Sequence, residues 1–388
     1  MGGKGIVTDF RRTREFFHLP PGITYLDGNS LGPLPAALPE RFSQMLTGQW
    51  GDMLIGGWTR AGWMERPELA GDRIASLVGA PAGSIVVGDT LSLKVYQALA
   101  SALALRPDRK IVLTDTGNFP SDLYMAQGLL ETLDRGHELR VVDPEAVSEH
   151  ISEEVAVLLL TEVDYRTARR HDMRQLTGLA HEHGALTLWD LAHSAGAIEV
   201  RLEAANADFA VGCTYKFLNG GPGSPAFIYI SPLIQDQVTP ALRGWLGHAS
   251  PFEFETEYRP RPGIGRMRVG TPPILGLFAL DVALEVWDLA TIGDVAARSA
   301  ELTSAFIDGV LQECPELQLA TPRDPEHRGS QVSFRHPDGH AIMQTLIEGG
   351  VIGDFREPDI IRFGFAPLYN TNQCVETALA KLKETVGS

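Results

Sequence analysis

The sequence predicts an α/β protein with a mostly parallel, seven-stranded sheet, followed by a smaller C-terminal α+β domain. Short apolar runs bounded by polar residues, Gly or Pro alternate with amphipathic stretches across the middle of the chain. Such alternation is typical of strands joined by helices, in which both faces of a parallel sheet are covered. After about residue 272 the pattern changes to a long helix and a mixture of helical and strand-like segments.

The predicted strands are brief runs rich in Val, Ile and Leu. They lie at residues 84–87, 110–113, 139–142, 155–160, 185–189, 209–212 and 226–230. The clearest helix between them covers residues 172–183, where Asp172 can cap the N-terminus and Gly184 ends the pattern. A further helix is predicted over residues 273–291. We therefore expect three regions: an N-terminal arm (1–45) that is part of the small domain, a large domain (46–272) and a small C-terminal domain (273–388).

The composition of the chain limits which partners it can bind and in which cellular compartment we expect it. The chain carries a formal charge of −16, and an acidic field argues against a nucleic-acid partner. The three cysteines are odd in number and widely spaced, which argues against a disulfide framework or a structural zinc site. His181, Glu182 and His183 point in different directions on a helix, so we predict no metal site there. Residues 1–10 lack the apolar core of a signal peptide and no apolar run reaches the roughly 18 residues of a membrane span, so we expect a soluble cytoplasmic protein.

Unusual residues follow three of the predicted strands, where ligands bind in open α/β sheets. Asp190 comes directly after the strand at 185–189, and alone it is either a helix cap or structural carboxylate or a functional acid. Lys216 follows the strand at 209–212, between aromatic residues and a glycine-rich loop. That context suits a desolvated amine able to form a Schiff base. Asp89 and Thr90 end the strand at 84–87 and open a helix, whose N-terminus suits a phosphate or is an ordinary cap.

Taken together, these features indicate an enzyme that uses pyridoxal 5′-phosphate (PLP). Such enzymes need a lysine for the Schiff base, a carboxylate for the pyridinium nitrogen and a phosphate cradle. Asp190 lies 26 residues before Lys216, one strand upstream. A neighbouring carboxylate stabilises the protonated ring nitrogen by about 1–3 pKa units, and the protonated ring is the electron sink of carbanion chemistry.

Several motifs resemble the kynureninase family, within the class V aminotransferase group of fold-type I PLP-dependent transferases. They are YLDGNSLG at 25–32, NFPSD at 118–122, DLAH at 190–193, YKFLNGG at 215–221, GWLGH at 244–248, PPI at 272–274 and PLYN at 367–370. Each motif is short, and their joint occurrence in this order over nearly the whole chain carries the resemblance.

The resemblance implies roles for individual residues. Lys216 would hold PLP, Asp190 would pair with the ring nitrogen, and Tyr215 would bind the phosphate and relay a proton. Phe119 would stack on the ring, and Thr161 and His193 would back it or contact its substituents. The remaining cofactor contacts would be Asp89, Thr90 and Asp122 of the same chain, with Trp245 and Thr271 reaching in from the partner subunit of a homodimer.

Four residues would contact the substrate, one of them (Thr271) also a cofactor contact. Arg362 lies in an apolar strand-like run, where an arginine needs an anionic partner. That partner is either a structural carboxylate or, as the resemblance implies, the substrate α-carboxylate. The resemblance also assigns Ser30, Trp58 and Thr271 to substrate binding. Thr271 stands where the animal enzymes that prefer a 3-hydroxylated substrate carry asparagine, so we expect a preference for L-kynurenine.

The implied reaction is the hydrolytic Cβ–Cγ cleavage of L-kynurenine to anthranilate and alanine in tryptophan catabolism. Alternatives stay open at this point. They are cleavage of a 3-hydroxylated or otherwise substituted kynurenine, another class V chemistry such as that of cysteine desulfurase or selenocysteine lyase, a racemase or an aminotransferase, and a non-catalytic sensor or scaffold with this fold. The cysteine-dependent rivals need a nucleophilic cysteine on a mobile loop, and neither Cys314 nor Cys374 has that context.

Overall fold

A computed structural model describes residues 7–387, so the first six residues of the predicted arm and the signal-peptide prediction for residues 1–6 lie outside the described range. The strands are β1 (Thr24–Tyr25), β2 (Ile85–Val87), β3 (Ile111–Asp115), β4 (Glu138–Val142), β5 (Val155–Thr161), β6 (Leu186–Asp190), β7 (Phe209–Gly212), β8 (Phe227–Ile230), β9 (Gln318–Leu319), β10 (Gln331–Arg335), β11 (Val351–Ile352), β12 (Asp354–Arg356) and β13 (Ile360–Gly364). The α-helices are α1 (Phe10–Glu15), α2 (Leu38–Gln44), α3 (Gly57–Arg60), α4 (Arg66–Leu77), α5 (Leu91–Ala104), α6 (Pro120–Leu133), α7 (Val147–His150), α8 (Met173–Glu182), α9 (Ile274–Leu284), α10 (Ile292–Glu313), α11 (Gly339–Glu348) and α12 (Asn372–Val386).

The predicted strands β2 to β8 form one seven-stranded sheet in the order β2-β8-β7-β6-β5-β3-β4. Only β8 runs antiparallel to its neighbours β2 and β7, and the other pairs are parallel. Every residue of β5, β6 and β7 is buried, as their continuous apolar runs require. The predicted α/β class and its mostly parallel sheet are confirmed.

The two predicted helices differ in how far the sequence pattern holds. Helix α8 begins after Asp172, whose side chain accepts a hydrogen bond from the Gln175 N–H at 2.9 Å, as the capping pattern predicts. Helix α9 ends at Leu284, earlier than predicted, and the chain continues as the 3₁₀ turn Glu285–Asp288. Leu277, Leu280 and Leu284 of α9 pack into the apolar core of the large sheet.

A second core lies in the C-terminal part of the chain. Strands β12-β13-β10-β9 form a four-stranded antiparallel sheet, and helices α10, α11 and α12 pack with it. Leu26 joins this core, and β1 of the N-terminal arm pairs with β11 in parallel. The arm is thereby attached to the C-terminal part of the molecule, while the residue boundaries of the three predicted regions stay a prediction. Among the helices of residues 7–387, none is long and apolar enough to cross a membrane.

Phe306 occupies the centre of this second core, so its truncation tests the packing. Its ring lies 5.0 Å from that of Phe363 and 5.2 Å from that of Phe365, and the side chain is fully buried. We expect Phe306→Ala to lower the free energy of unfolding by about 3–5 kcal/mol, through lost transfer energy and a residual cavity. Thermal denaturation measures the effect, with Leu233→Ala as the control because Leu233 is 80% exposed. Equal melting temperatures for the two variants would contradict this description of the core.

Candidate active site

The site forms where three neighbouring parallel strands end. Thr161 at the end of β5 is in register with Asp190 at the end of β6, and Asp190 is in register with Val211 of β7. Lys216 follows β7 by four residues. Because parallel strands bring their carboxyl ends to one edge, residues far apart in the chain meet here.

Lys216 lies among aromatic and imidazole side chains. Its Nζ is 2.9 Å from Nε2 of His193 and 5.9 Å from the ring centres of both Phe119 and Tyr215. Burial, followed by the positive charge of Lys216, lowers the pKa of His193 well below its usual value, so this imidazole is neutral. Burial also raises the pKa of Tyr215, which keeps its hydroxyl protonated. These two neighbours of Lys216 are therefore uncharged, and the Lys216 side chain lies partly buried between aromatic rings.

The N-terminal arm closes over the lysine loop at a glycine. The Gly32 N–H donates to the Tyr215 carbonyl at 2.7 Å, and a Cβ at position 32 would lie 2.7 Å from the Lys216 carbonyl oxygen. No other residue fits such an approach without displacing backbone. The arm motif at 25–32 therefore lies beside Lys216 and forms part of the site.

Two buried carboxyl groups face the lysine. Burial raises the pKa of Asp190 to about 6, against the opposing effect of Lys216. The pKa of Asp122 is raised further, by burial and then by the Asp190 carboxylate, so Asp122 holds the proton of the pair. The Ala192 N–H donates to Asp190 Oδ1 at 2.9 Å, and Thr161 directs its hydroxyl at the carbonyls of Val163 and Asp190. The resulting site has too little positive charge for its two acids.

Phe119 presents an open aromatic face beside this pair. It caps helix α6 immediately before Pro120, is held by a hydrogen bond from its N–H to Asn118 Oδ1, and remains 42% exposed. Tyr165 packs edge-on against it with the ring centres 5.0 Å apart. No sequence signal identified Tyr165, because it lies in an irregular connection between β5 and α8.

Asp89 and Thr90 form a tight turn at the N-terminus of α5. Asp89 has a positive φ of 57°, and its carboxylate accepts a hydrogen bond from the buried Lys94 at 2.9 Å. Thr90 is exposed, and its hydroxyl caps the Leu93 N–H at 3.5 Å. The predicted place of these residues at a helix N-terminus is confirmed, whereas their contact with a phosphate stays a prediction. Lys94 was missed because lysines are seldom buried, although it lies on the buried face of α5.

Arg362 lies on β13 directly opposite Asp354 of β12. Its Nε donates to Asp354 Oδ1 at 2.7 Å and its Nη2 donates to Oδ2, so one edge of the guanidinium is filled by that carboxylate. Nη2 also donates to Ser30 Oγ at 3.1 Å, and Nη1 donates to the Tyr165 carbonyl. The structural ion pair weighed from the sequence is therefore present. One N–H of Nη1 remains for a further anion beside Ser30.

Three predicted residues lie apart from these contacts. Trp245 starts a short 3₁₀ helix, is 43% exposed, and packs edge-on against Phe252 at 5.8 Å. Thr271 is exposed in the segment before α9. Trp58 packs edge-on against Trp63 at 5.6 Å, in a small apolar cluster with Phe278. Their roles stay predictions.

The residues at this edge fit PLP. Asp122 Oδ2 is buried with no hydrogen-bond partner within residues 7–387, and both acids have raised pKa values because Lys216 offsets only part of the cost of their burial. A protonated ring nitrogen would supply that cation to Asp190. The open face of Phe119 would receive the ring, Lys216 would hold the aldehyde carbon, and the N-terminus of α5 would take the phosphate. A metal is not indicated in the described part of the chain, where no group of three His, Cys, Asp or Glu side chains converges and His181 Nε2 bonds to Asp208 at 2.8 Å.

The raised pKa of Asp190 predicts how the cofactor-free protein responds to pH. The pKa of Asp190 is about 6 in the folded protein and close to 3.8 in the unfolded chain. Its contribution to stability is therefore fully present below about pH 4, where the carboxyl is protonated in both the folded and the unfolded state, and is lost as pH rises through about 6. Relative to Asp190→Asn, we expect the parent protein to lose up to about 3 kcal/mol of unfolding free energy between about pH 4 and pH 7. Thermal denaturation of both cofactor-free proteins across this range measures it. Parallel stability curves would show that Asp190 titrates normally.

Comparisons with known proteins agree with this geometry. The family model described as the kynureninase C-terminal domain matches residues 295–382. Kynureninase from Pseudomonas fluorescens is 48% identical over 92% of this chain and 88% of the relative. Kynureninase from Deinococcus radiodurans is 49% identical over 95% of this chain and 91% of the relative.

Solved structures share the fold at much lower identity. The apo cysteine desulfurase from Thermococcus onnurineus NA1 superposes with a TM-score of 0.81 at 20% identity, covering 100% of both chains. A lysine-to-alanine mutant of C-DES, with glycine linked covalently to its PLP cofactor, superposes with a TM-score of 0.82 at 18% identity, covering 96% of this chain and 99% of that one. These likenesses establish the predicted class V fold. The relatives that match nearly end to end at almost half identity establish the family, and the chain belongs to the kynureninases.

Proposed function

We propose that this chain is a PLP-dependent hydrolase that cleaves the Cβ–Cγ bond of L-kynurenine with one water, giving anthranilate and alanine. The observation that carries the proposal is the edge where Lys216, Asp190 and His193 meet, in a chain that shares nearly half its residues with curated kynureninases. When bound, PLP supplies an electron-withdrawing ring that stabilises negative charge at the substrate α-carbon.

Lys216 acts as the base at the α-carbon. With PLP and substrate bound, the Lys216 amine would lie beside the neutral imidazole of His193. A neutral amine in a partly dry pocket accepts the α-proton readily. Tyr215 keeps its hydroxyl protonated because burial raises its pKa, so it donates a proton to developing charge on the substrate or holds a phosphate oxygen.

Asp190 and Asp122 hold the ring of the cofactor in its protonated form. The pair needs a cation, and the ring nitrogen is the group able to provide one. Asp122 donates its proton towards Asp190, which steadies the Asp190 carboxylate for this contact. Phe119 contributes its open face to the ring.

Arg362 binds the substrate α-carboxylate end-on. Asp354 fills the Nε–Nη2 edge of the guanidinium and fixes its plane, and Tyr165 takes one N–H of Nη1. A carboxylate would then meet the remaining Nη1 N–H, and Ser30, whose hydroxyl accepts from Arg362 and donates to Asp354, would turn its hydrogen from Asp354 to that carboxylate. Asp354 thus converts a buried arginine into a rigid anion site rather than competing for the whole of it.

The cysteine-dependent rivals lack their nucleophile. All three cysteines of the chain are free and buried: Cys213 at the end of β7, Cys314 at the end of α10 and Cys374 in α12. Burial raises the pKa of Cys213, which opposes thiolate formation. A sensor or scaffold would have no need of the Lys216–His193 and Asp190–Asp122 contacts. Free cysteines also favour a reducing compartment, and we place the protein in the cytoplasm.

The active site is completed by a second copy of the chain in a homodimer. Trp245, Phe252 and Phe254 form an exposed aromatic surface around residues 245–254, with Phe252 63% and Phe254 79% exposed. Large exposed aromatic residues in a cluster are typical of interfaces. In this arrangement Trp245 and Thr271 serve the partner's cofactor and substrate.

Product analysis tests the reaction. We expect purified protein supplied with PLP and L-kynurenine to release anthranilate and alanine in equal amounts, with anthranilate measured by its fluorescence. The kcat/KM for L-kynurenine should be higher than that for 3-hydroxykynurenine. Lys216→Ala should lower turnover by at least about a hundredfold, because it removes the base. Lys381→Ala is the matched control, since Lys381 is an exposed lysine paired with Glu384. Alanine and sulfur from cysteine, with no anthranilate from kynurenine, would contradict the proposal.

Subunit complementation tests the shared site. Lys216→Ala and Trp245→Ala should each be nearly inactive alone, and co-expression should restore about a quarter of the parent activity, because each mixed dimer has one intact site. Activity is measured alongside light scattering, which reports the mass of the assembly. Mixed dimers no more active than their parents would mean that Trp245 acts within its own subunit.

A further inference from the structure

A buried chain of hydrogen bonds connects Lys216 to the C-terminal part of the molecule. Lys216 Nζ lies 2.9 Å from His193 Nε2, and His193 Nδ1 lies 2.9 Å from Gln331 Oε1. The amide nitrogen of Gln331 then donates to the carbonyls of Tyr165 at 2.9 Å and Asp164 at 3.3 Å. His193 and Gln331 are both buried, so water does not substitute for these contacts.

The backbone carbonyls of Tyr165 and Asp164 determine which atom donates in each of these hydrogen bonds. A carbonyl oxygen only accepts, so the amide nitrogen of Gln331 must face Tyr165 and Asp164, which leaves its oxygen facing His193. That oxygen also only accepts, so Nδ1 of His193 carries the hydrogen. A neutral imidazole has a single N–H, and Nε2 is therefore bare and accepts from Lys216.

The imidazole stays neutral in these surroundings. The charged groups that act on it are Lys216, Arg362 and Arg356, all positive, and burial is the larger effect that lowers its pKa well below the usual value. The amide of Gln331 contributes a hydrogen bond without a charge. With a protonated ring excluded, the choice is between two neutral tautomers.

We propose that Gln331 is a positioning residue that holds His193 in the Nδ1-protonated tautomer and so leaves the lone pair of the Lys216 amine free. The inference rests on the proposed role of Lys216. With Nε2 bare, Lys216 donates an N–H to His193 in its charged and in its neutral form, and the lone pair of the neutral form points elsewhere. In the other tautomer Nε2–H would donate to that lone pair, which is the pair that attacks an aldehyde carbon or takes the α-proton.

Because Gln331 belongs to the C-terminal part of the polypeptide, the tautomer of His193 depends on that part of the molecule. Gln331 begins β10, in register with Gly364 of β13, whereas His193 and Lys216 follow strands of the large sheet. Its amide reaches the Asp164 and Tyr165 carbonyls in the connection after β5. The lone pair of Lys216 is thus left free only when the side chain of Gln331 on β10 contacts His193.

Imidazole nitrogen resonances of the cofactor-free protein test the tautomer directly. With ¹⁵N-labelled histidine, and His193 assigned by its loss in His193→Gln, we expect a protonated Nδ1 and a bare Nε2 in the parent protein. Gln331→Leu should move a substantial population to the Nε2-protonated form. Gln331→Glu, which keeps an acceptor opposite Nδ1, should keep Nδ1 protonated. An unchanged tautomer in Gln331→Leu would overturn the proposal.

The rate of Schiff-base formation tests the consequence. The Lys216 amine adds to the aldehyde of PLP and water leaves, a step followed by absorbance without any C–C cleavage. We expect Gln331→Leu to slow this step about tenfold, as loss of one oriented hydrogen bond allows, with Gln331→Glu closer to the parent rate in mildly alkaline buffer. Gln235→Leu is the matched control, because this buried glutamine binds the Ile230 and Gly83 carbonyls at the opposite edge of the sheet.

The outcomes separate this inference from the proposed function. Equal slowing in the leucine and glutamate variants, or in the Gln235→Leu control, would overturn the positioning role. Parent protein that shows the expected tautomer and forms the Schiff base, yet releases no anthranilate from kynurenine, would refute the proposed reaction and leave the inference standing.

Discussion

Two buried acids beside a single amine are the constraint on which the rest of the site depends. Asp190 and Asp122 lie in a dry edge of the sheet, where an uncompensated carboxylate is costly. Lys216 offsets part of that cost, and a bound cationic ring offsets the remainder. The neutral state of His193 follows from the same shortage of solvent. A site balanced in this way is suited to a positively charged heterocycle.

The polar contacts around this edge join parts of the chain that are remote in sequence. Tyr165 offers its carbonyl to both Arg362 and Gln331, so one irregular connection receives the two residues that reach in from the C-terminal sheet. Asp354 lies across the strand pair from Arg362 and orients it. The proposed substrate contact of Arg362 and the proposed positioning role of Gln331 therefore share a backbone support, and displacement of the connection after β5 would disturb both.

Sequence reasoning succeeded where the physical signal is local. The strands of the large sheet are continuous apolar runs because both faces are covered, and their boundaries agreed to within two residues. Helix α8 was predicted from the capping residue Asp172 and the apolar stripe that follows it. The ion-pair partners of the charged residues were not predicted from the sequence. Lys94, which holds Asp89, and Asp354, which holds Arg362, were both missed, although one of each pair had been singled out.

The sequence by itself determined the fold class, the family and the residues proposed to carry the chemistry, because period, turn residues and ordered motifs are properties of neighbouring positions. Only the tertiary structure decided how those residues are paired. Gln331 meets His193 across 138 positions, and Ser30 meets Arg362 across 332. Such contacts depend on strand order and register, which bring distant side chains to one edge, and a hydrogen bond has no direction until both of its partners are in place.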